Sequence, residues 1–179
     1  MNLTLIGYRA TGKTTLARLL AERLGWDWID ADVEIERRAG KTIARMFAED
    51  GQPAFRDLEA TVIADLCRRE HLVLAAGGGA PLRADNRAAM RAAGKVVWLR
   101  ARPETIHARM AGDAITASRR PSLTDKDGLA EIVHLLEVRE PAYRETADLA
   151  IDTEDKTPTE VATEILGQFA RAADQGGAA

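Results

Sequence analysis

The chain has 179 residues, of which 25 are Lys or Arg, 28 are Asp or Glu and one is Cys, so its net charge near neutral pH is −3. This length suggests one domain that can bury a core without disulfides, and the mildly acidic balance argues against a nucleic-acid-binding scaffold, which usually presents a basic face. No apolar run approaches the roughly 18 residues of a membrane-spanning helix and the N-terminus lacks a signal peptide's basic region, so we expect a cytoplasmic protein that binds neither nucleic acid nor membrane.

Five short apolar runs alternate with longer stretches of helical pattern. Short, nearly continuous apolar strands separated by helices are typical of a parallel sheet that is covered on both faces. We therefore predict an α/β fold, a three-layer α/β/α arrangement with a five-stranded parallel sheet, in a single domain over residues 1–171 followed by a flexible tail at 172–179. The predicted strands are LTLIG (3–7), WDWID (26–30), LVLAA (72–76), VVWLR (96–100) and DLAID (148–152).

Two helix ends carry their own signals. In the first helical stretch, Leu16, Leu20 and Leu24 recur every four residues, and Gly25 fits the position just past the helix end. The last helix opens with TPTE at 157–160, where the first threonine and the glutamate can form a capping box around a proline at the first helical position. These patterns predict the end of the first helix and the beginning of the last.

The segment GYRATGKT at 7–14 matches the pattern G-x-x-x-x-G-K-[ST] and stands between a predicted strand and a predicted helix. Its glycines allow successive N–H groups to point inward, and the helix N-terminus adds partial positive charge, which together bind phosphate. Lys13 can reach the outer phosphates, and the Thr14 hydroxyl can ligate Mg²⁺. The residues expected to contact ATP in and just after this segment are Gly7, Ala10, Thr11, Gly12, Lys13, Thr14 and Thr15.

The pattern by itself leaves the nucleotide base open. A guanine-specific protein would carry N-K-x-D after a later strand, whereas the nearest segment here is TDKD at 124–127, with Asp in place of Asn. ATP is therefore the expected nucleotide. Whether its phosphate goes to water or to a substrate has to be read from other residues.

The segment DAD at 30–32 ends the second predicted strand. Because the carboxyl ends of parallel strands face the ligand crevice, both carboxylates are expected to point toward the phosphates. One can hold Mg²⁺ through water, and the other can orient or deprotonate an acceptor hydroxyl. Alternatively, either aspartate caps the helix that follows.

Two arginines and a strip of glycines suggest a site for a small anion. Arg56 is expected to interrupt a helix in GQPAFRDLE, and Glu59 follows at i+3, where it can orient the guanidinium. Arg139 lies far away in sequence, at the end of a predicted helix. Each arginine alone is more often a solvated surface charge, but together with LVLAAGGGAP at 72–81 they fit a fork for a small carboxylate.

A set of segments covering roughly Leu3 to Thr153 resembles the shikimate kinase family in content, order and spacing. The resemblance implies a P-loop fold of the nucleoside monophosphate kinase type, with ATP and shikimate as substrates and a monomeric enzyme. It also implies a substrate-binding segment at about 32–69 and a lid at about 111–123. The matching segments are GYRATGKTT, DADVEIE, FRDLE, AAGGGA, RRPSL and REPAYRETA.

The resemblance assigns the acceptor site residue by residue. Asp32 would contact the shikimate hydroxyl that is phosphorylated and is the candidate base. Arg56 and Arg139 would grip the carboxylate, and the glycines would leave volume for the ring. The residues assigned to shikimate are Asp32, Arg56, Gly77, Gly78, Gly79 and Arg139.

The resemblance also completes the donor site. Asp30 would hold the water shell of Mg²⁺ together with Thr14. Arg120, chosen over the adjacent Arg119 because a proline follows it, would neutralise charge on the transferring phosphoryl group from the lid. Arg109 would stack near adenine, and the segment at 152–158 would lie on the opposite side of the adenine ring. The residues assigned to catalysis are Lys13, Asp32 and Arg120.

Two other functions are compatible with part of this pattern. A gluconate kinase shares the expected fold and also phosphorylates a hydroxylated carboxylate. A regulator that holds ATP without turnover would share the phosphate loop, although it would not need Lys13, Thr14, Asp32 and Arg120 together. A panel of acceptor substrates separates all three.

Overall fold

The structure, a computed structural model, describes residues 1–112 and 128–176, with side chains described up to residue 169 in the last helix. Within these residues five parallel strands form one sheet in the order β2–β3–β1–β4–β5. The predicted parallel five-stranded sheet is confirmed. The strands are β1 (Asn2–Ile6), β2 (Asp27–Asp30), β3 (Leu72–Ala75), β4 (Gly94–Arg100) and β5 (Leu149–Asp152).

Helices cover both faces of the sheet, and a short 3-10 turn at Ala80–Leu82 follows β3. None of the helices in the described part of the chain is both long and apolar enough to cross a membrane. The last helix extends past residue 171, where the domain is predicted to end. The helices are α1 (Lys13–Leu24), α2 (Ala31–Ala39), α3 (Ile43–Glu49), α4 (Gly51–Cys67), α5 (Ala84–Ala93), α6 (Pro103–Ala111), α7 (Gly128–Thr146) and α8 (Pro158–Gly176).

A hydrophobic core lies on each face of the sheet. Helices α2 to α5 and α7 pack on one face, and α1 and α8 pack on the other. Successive strand residues point to opposite faces, and both faces are buried, which is why the strands read as continuous apolar runs. On the strands, the first core contains Ile6, Leu72, Leu74, Val96 and Trp98, and the second contains Leu3, Leu5, Val73, Val97, Leu99 and Ile151.

Both predicted helix-end signals are confirmed. Gly25 adopts a left-handed conformation with φ of 67° after Leu24, and its N–H donates to the carbonyl of Ala21. At the start of α8 the Thr157 N–H donates to the Glu160 carboxylate at 2.8 Å. The Glu160 N–H donates back to the Thr157 hydroxyl at 3.3 Å, which completes the capping box.

Two helices continue through positions where the sequence predicts a break. Helix α4 runs through Arg56, and α7 runs through both Arg139 and Pro141. A proline removes one helical N–H donor and crowds the preceding turn. Beyond it, however, the fully buried Tyr143 and Thr146 anchor the next turn of α7 to the core, so tertiary packing outweighs the local penalty.

The single cysteine is a packing residue. Cys67 ends α4, is partly buried and packs against the core on that face. Burial raises the pKa of its thiol to about 11, so very little reactive thiolate is present near neutral pH.

A cluster of charges joins α2 to α4 and makes stability sensitive to acid. The buried Glu34 accepts hydrogen bonds from Arg37 and Arg38 at 2.7 and 2.8 Å, and Arg38 also pairs with Asp65 of α4 at 2.6 Å. The hydrogen bonds from Arg37 and then Arg38 lower the pKa of Glu34 from 4.5 to about 2. Because the folded-state pKa is depressed, this contribution to stability is present above the unfolded value and is lost as pH falls from about 4.5 toward 2.

Replacing Glu34 by Gln is therefore expected to lower Tm at neutral pH and to lower it less as the pH approaches 2. Thermal unfolding of the wild type and Glu34→Gln between pH 7 and 2.5 measures the difference. The matched control is Glu22→Gln on the exposed face of α1, whose curve should run parallel to that of the wild type. A Glu34→Gln difference that is constant over this pH range contradicts the assignment.

Candidate active site

The phosphate loop lies between β1 and α1, at the carboxyl edge of the sheet. Gly7 and Gly12 adopt φ of 138° and 90°, which glycine tolerates and other residues rarely adopt. A Cβ at Gly7 would lie 2.5 Å from the carbonyl oxygen of Leu99 on β4, so a side chain does not fit there. The loop is thus pressed against the sheet, and helix α1 begins directly behind it at Lys13.

The Lys13 ammonium lies over this loop. It donates hydrogen bonds to the carbonyls of Gly7 and Tyr8 at 3.0 and 2.6 Å. The Thr11 hydroxyl donates to the same Tyr8 carbonyl at 2.7 Å. Hydrogen bonds between residues of the loop therefore fix its conformation. They also place its lysine where the phosphates of a nucleotide would be bound.

The two aspartates of DAD have different positions. The Asp30 carboxylate accepts the Asp32 N–H through Oδ1 at 2.9 Å, so it caps α2. Its Oδ2 accepts a hydrogen bond from the Thr14 hydroxyl at 2.6 Å. Asp30 thus combines the two alternatives that the sequence left open, a helix cap and a carboxylate beside the phosphate loop. Asp32 follows, half-buried, in the first turn of α2.

Thr14 and Asp30 provide the type of site that suits Mg²⁺. A hydroxyl and a carboxylate are hard oxygen ligands, and Mg²⁺ usually binds one or two protein groups, several waters and the substrate phosphates. Among the described side chains, those of residues 1–112 and 128–169, no three of His, Cys, Asp or Glu are close enough to hold a metal by themselves. The residues present therefore fit a phosphate-bound Mg²⁺ rather than a metal held by protein ligands alone.

Arg56 is oriented as the sequence predicted. Its Nη1 contacts the buried Glu59 carboxylate, one helical turn away, at 2.6 Å. Its Cζ also lies 5.1 Å from the ring centroid of Phe55, within the range of a cation–π contact. The guanidinium is only about 20% exposed and is held from two sides.

The glycine strip contacts both arginines. A Cβ at Gly79 would lie 2.5 Å from Nη2 of Arg56. A Cβ at Gly78 would lie 3.4 Å from Nη1 of Arg139 and 3.2 Å from the carbonyl oxygen of Gly7. The strip therefore gives room to the two guanidinium groups and to the phosphate loop, which the sequence did not reveal. The third glycine, Gly77, is buried as well.

Two aromatic residues of the site were missed in the sequence. Arg139, 5% exposed, lies with its Cζ 5.3 Å from the ring centroid of Tyr8. One turn further along α7, the Tyr143 hydroxyl donates to the carbonyl of Gly78 at 2.5 Å. The spacing of Tyr143 and Arg139 by four residues could have placed them on one face of a helix. Tyr8 occupies a variable position of the phosphate-loop pattern and gives no such signal.

A buried ion pair adjoins this cluster and was also missed. Arg9 of the phosphate loop lies 3.6 Å from the Glu131 carboxylate in the first turn of α7. Glu131 is 2% exposed. Burial raises the pKa of the neighbouring Tyr8 phenol, although the positive charges of Arg9 and Arg139 oppose the rise. The cluster therefore joins the phosphate loop to α7 through charges and a phenol.

Of the two arginines predicted for the nucleotide, only Arg109 lies in the described part of the chain. Arg109 in α6 donates to the hydroxyl and the carbonyl of Thr153 at 3.2 and 3.1 Å. Arg109 and the segment after β5 are therefore adjacent, as their expected positions around adenine require. Arg120 and all but the first two residues of the predicted lid at 111–123 lie outside the described residues.

The fold and the site together define a class of protein. It is the class of P-loop small-molecule kinases of the nucleoside monophosphate kinase type. The features that define it are the strand order β2–β3–β1–β4–β5, the G-x-x-x-x-G-K-T loop between β1 and α1, and the carboxylates at the end of β2. A family model described as shikimate kinase matches residues 9–170. The chain belongs to the shikimate kinase family.

Individual relatives agree with the family. The shikimate kinase of Rhodopirellula baltica is 47% identical over 165 residues, which cover 92% of this chain and 88% of that one. The shikimate kinase of Symbiobacterium thermophilum is 40% identical, covering 98% of this chain and 100% of that one. The structure of shikimate kinase from Acinetobacter baumannii in complex with shikimate has a TM-score of 0.89 and 37% identity, covering 96% of this chain and 93% of that one.

Proposed function

We propose that the protein transfers the γ-phosphoryl group of ATP to the 3-hydroxyl of shikimate, giving ADP and 3-phosphoshikimate on the route to chorismate and the aromatic amino acids. The observation that carries the proposal is the pair of guanidinium groups, Arg56 and Arg139, which meet the glycine strip directly beside the phosphate loop. Two arginines can bind a carboxylate with several charge-assisted hydrogen bonds. Membership of the shikimate kinase family supports this choice of acceptor.

The donor site would bind ATP through the backbone of the phosphate loop, the N-terminus of α1 and Lys13. Thr14 would ligate Mg²⁺, and Asp30 would hold the ion through its water shell. When bound, this ion neutralises charge on the β- and γ-phosphates. Lys13 would stabilise the negative charge that develops on the leaving phosphate, because its ammonium group already lies over the loop.

At the acceptor site the 3-hydroxyl oxygen attacks the γ-phosphorus, the bond to the β-phosphate oxygen breaks, and ADP leaves. Asp32 would orient this hydroxyl and accept its proton. Arg56 and Arg139 would fix the carboxylate of the ring, with Gly77, Gly78 and Gly79 beneath it. Because phosphoryl transfer depends mostly on positioning and electrostatics, these contacts carry much of the catalysis.

The rest of the assignment follows the family resemblance. Arg120 would stabilise the transferring phosphoryl group from a lid at 111–123, and Arg109 would stack near adenine. The segment at 32–69 would form the acceptor side of the site. We further propose a monomeric enzyme of the cytoplasm, a single domain over 1–171 followed by the segment 172–179, into which the last helix continues as far as Gly176. We also propose that it binds neither nucleic acid nor membrane; its mild net negative charge supports the former exclusion.

The position of the transferred phosphate tests the proposed reaction. After incubation with Mg·ATP and shikimate, ³¹P NMR of the products should show one phosphate ester coupled to the proton on carbon 3, in equal amount to ADP. Inorganic phosphate in place of an ester, or an ester at another hydroxyl, contradicts the proposal.

A methyl group at Gly79 is expected to raise the KM for shikimate by about tenfold or more while leaving the KM for ATP nearly unchanged. The added Cβ would overlap the Arg56 guanidinium, which has to move. The backbone at Gly79, with φ of −101° and ψ of −6°, accepts alanine, so the fold should persist.

Steady-state kinetics of Gly79→Ala measures this effect. The matched control is Gly167→Ala in α8, where a Cβ would have no neighbour within 4 Å and alanine favours the helix. The control should keep the wild-type KM for shikimate. An unchanged KM in Gly79→Ala would show that Arg56 is not positioned by this contact.

A further inference from the structure

The Arg139 guanidinium packs against the ring of Tyr8. Both side chains are buried, with 5% and 1% of their surface exposed, and Cζ of Arg139 lies 5.3 Å from the ring centroid. The Nε of Arg139 is buried and has no hydrogen-bond partner among the residues that the structure describes. On another side, Nη1 is 3.4 Å from where a Cβ of Gly78 would be. An aromatic face and a bare backbone, rather than a hydrogen bond to Nε, therefore set the orientation of this cation.

Tyr8 itself is fixed by the phosphate loop. Its carbonyl accepts hydrogen bonds from Lys13 and Thr11 at 2.6 and 2.7 Å. Its ring also lies 5.7 Å from Cζ of Arg9, whose charge is balanced by the buried Glu131. Of the two guanidinium groups at this ring, Arg139 is the one that lies beside the glycine strip. The backbone of Tyr8 is thus held within the phosphate loop, and its buried ring packs against Arg139, which is proposed for the acceptor site.

A cavity of about 370 Å³ adjoins Tyr8. Its lining includes Glu137 and Glu140, which flank Arg139 in the sequence of α7. If the ring were removed, the space that it leaves would join this cavity, and the guanidinium could turn away from the glycine strip. The ring is therefore the part of this cluster whose loss would redirect Arg139 without removing its charge.

We propose that Tyr8 is a positioning residue for the acceptor: it holds Arg139 in the orientation that binds the substrate carboxylate. This inference rests on the proposed function, in which Arg139 contacts that carboxylate. It adds that an aromatic side chain of the phosphate loop sets the affinity for the acceptor. This residue is not one of those expected to contact the phosphates of ATP. Tyr8 makes no direct contact with the carboxylate and acts through Arg139.

A double-mutant cycle tests the inference, with the dissociation constant for shikimate measured by calorimetry and KM measured where binding is too weak. Tyr8→Leu should raise the dissociation constant about tenfold, whereas Tyr8→Phe, which keeps the ring, should stay within about threefold of the wild type. In an Arg139→Ala background, Tyr8→Leu should change the KM for shikimate less than about twofold. The KM for ATP should change little in each variant. A general disturbance of the phosphate loop would instead raise the KM for ATP as well.

Two results overturn the inference: wild-type affinity in Tyr8→Leu, or a tenfold effect that persists without Arg139. If Tyr8→Leu does not fold, Tyr8→Met takes its place in the same cycle, with the same expected values. A wild-type protein that does not bind shikimate, or an Arg139→Ala variant with wild-type affinity, refutes the carboxylate assignment itself. These two results are visible before Tyr8 is changed, so the failure of the proposed function is distinguished from the failure of this inference.

Discussion

Replacing Asp32 by Asn is expected to lower kcat for shikimate phosphorylation by about a hundredfold or more, with a smaller change in the KM for either substrate. Asp32 lies in the first turn of α2, where its N–H bonds the Asp30 carboxylate that also accepts from Thr14. Asp32 therefore lies two residues along the chain from the carboxylate that contacts the phosphate loop, and we propose that its own carboxylate faces the acceptor hydroxyl. Asparagine keeps the size and part of the hydrogen bonding but cannot take the proton of the attacking hydroxyl.

The size of this effect distinguishes the two roles of Asp32. A base that accepts the proton in the transition state contributes about two to four orders of magnitude, whereas an orienting group in a loose transition state contributes less. Steady-state kinetics of Asp32→Asn gives the value. Asp27→Asn, at the exposed amino end of β2, is the matched control and should keep the wild-type kcat. A kcat for Asp32→Asn within about threefold of the wild type contradicts both roles.

Replacing Arg139 by Ala is expected to raise the KM for shikimate by about thirtyfold or more, because the loss of one partner from a buried charge pair costs about 2 kcal/mol or more. The side chain is 5% exposed and faces the glycine strip, so water replaces it poorly. The KM for ATP should change much less. Initial rates over a range of shikimate concentrations at saturating Mg·ATP measure the effect.

The control for Arg139 is Arg144→Ala on the same helix. Arg144 is 70% exposed on its side chain and pairs with Glu140, one turn away, so its removal should leave the KM for shikimate unchanged. Thermal unfolding of both variants checks that α7 remains folded. An Arg139→Ala variant with the wild-type KM contradicts the assignment of the acceptor carboxylate.

The sequence predicted those features that depend on local pattern. The five strands follow from short apolar runs, and the capping box at Thr157 and the left-handed Gly25 follow from single residues in known positions. The pairing of Arg56 with Glu59 follows from their i+3 spacing on one helix face. These features need only a few neighbouring residues, so the chain reveals them without a tertiary structure.

The features that were missed depend on segments far apart in sequence. The contact of Tyr8 with Arg139 and that of Arg9 with Glu131 form only when α7 packs beside the phosphate loop. The course of α7 through Pro141 is stabilised by buried side chains of its last turn, which outweigh the local preference of proline. The sequence contains the residues that make these contacts, but it does not show that they lie close together in the folded protein.

The glycine strip has steric neighbours that the sequence did not reveal. The sequence suggested that bare backbone at 77–79 leaves volume for the acceptor ring. The structure adds that a side chain at Gly79 would first meet Arg56, and one at Gly78 would meet the phosphate loop and Arg139. The absence of side chains in the strip therefore lets the phosphate loop, Arg56 and Arg139 approach the same stretch of backbone.

Shared fold alone does not select the acceptor. The gluconokinase from Sinorhizobium meliloti has a TM-score of 0.60 against this chain at 17% identity, covering 97% of this chain and 94% of that one. This likeness extends to the fold only. In the proposed function the choice between acceptors depends on the arginines and glycines beside the phosphate loop, and kinetics with each acceptor measure it.

The most direct measurement is the initial rate of ADP formation from Mg·ATP with shikimate, with gluconate and with no acceptor, side by side. The proposed site predicts turnover with shikimate and only background rates in the other two reactions. Turnover with gluconate would contradict the assignment of Arg56, Arg139 and the glycine strip to shikimate. Background rates with every acceptor would contradict a kinase and favour a protein that holds ATP without turnover.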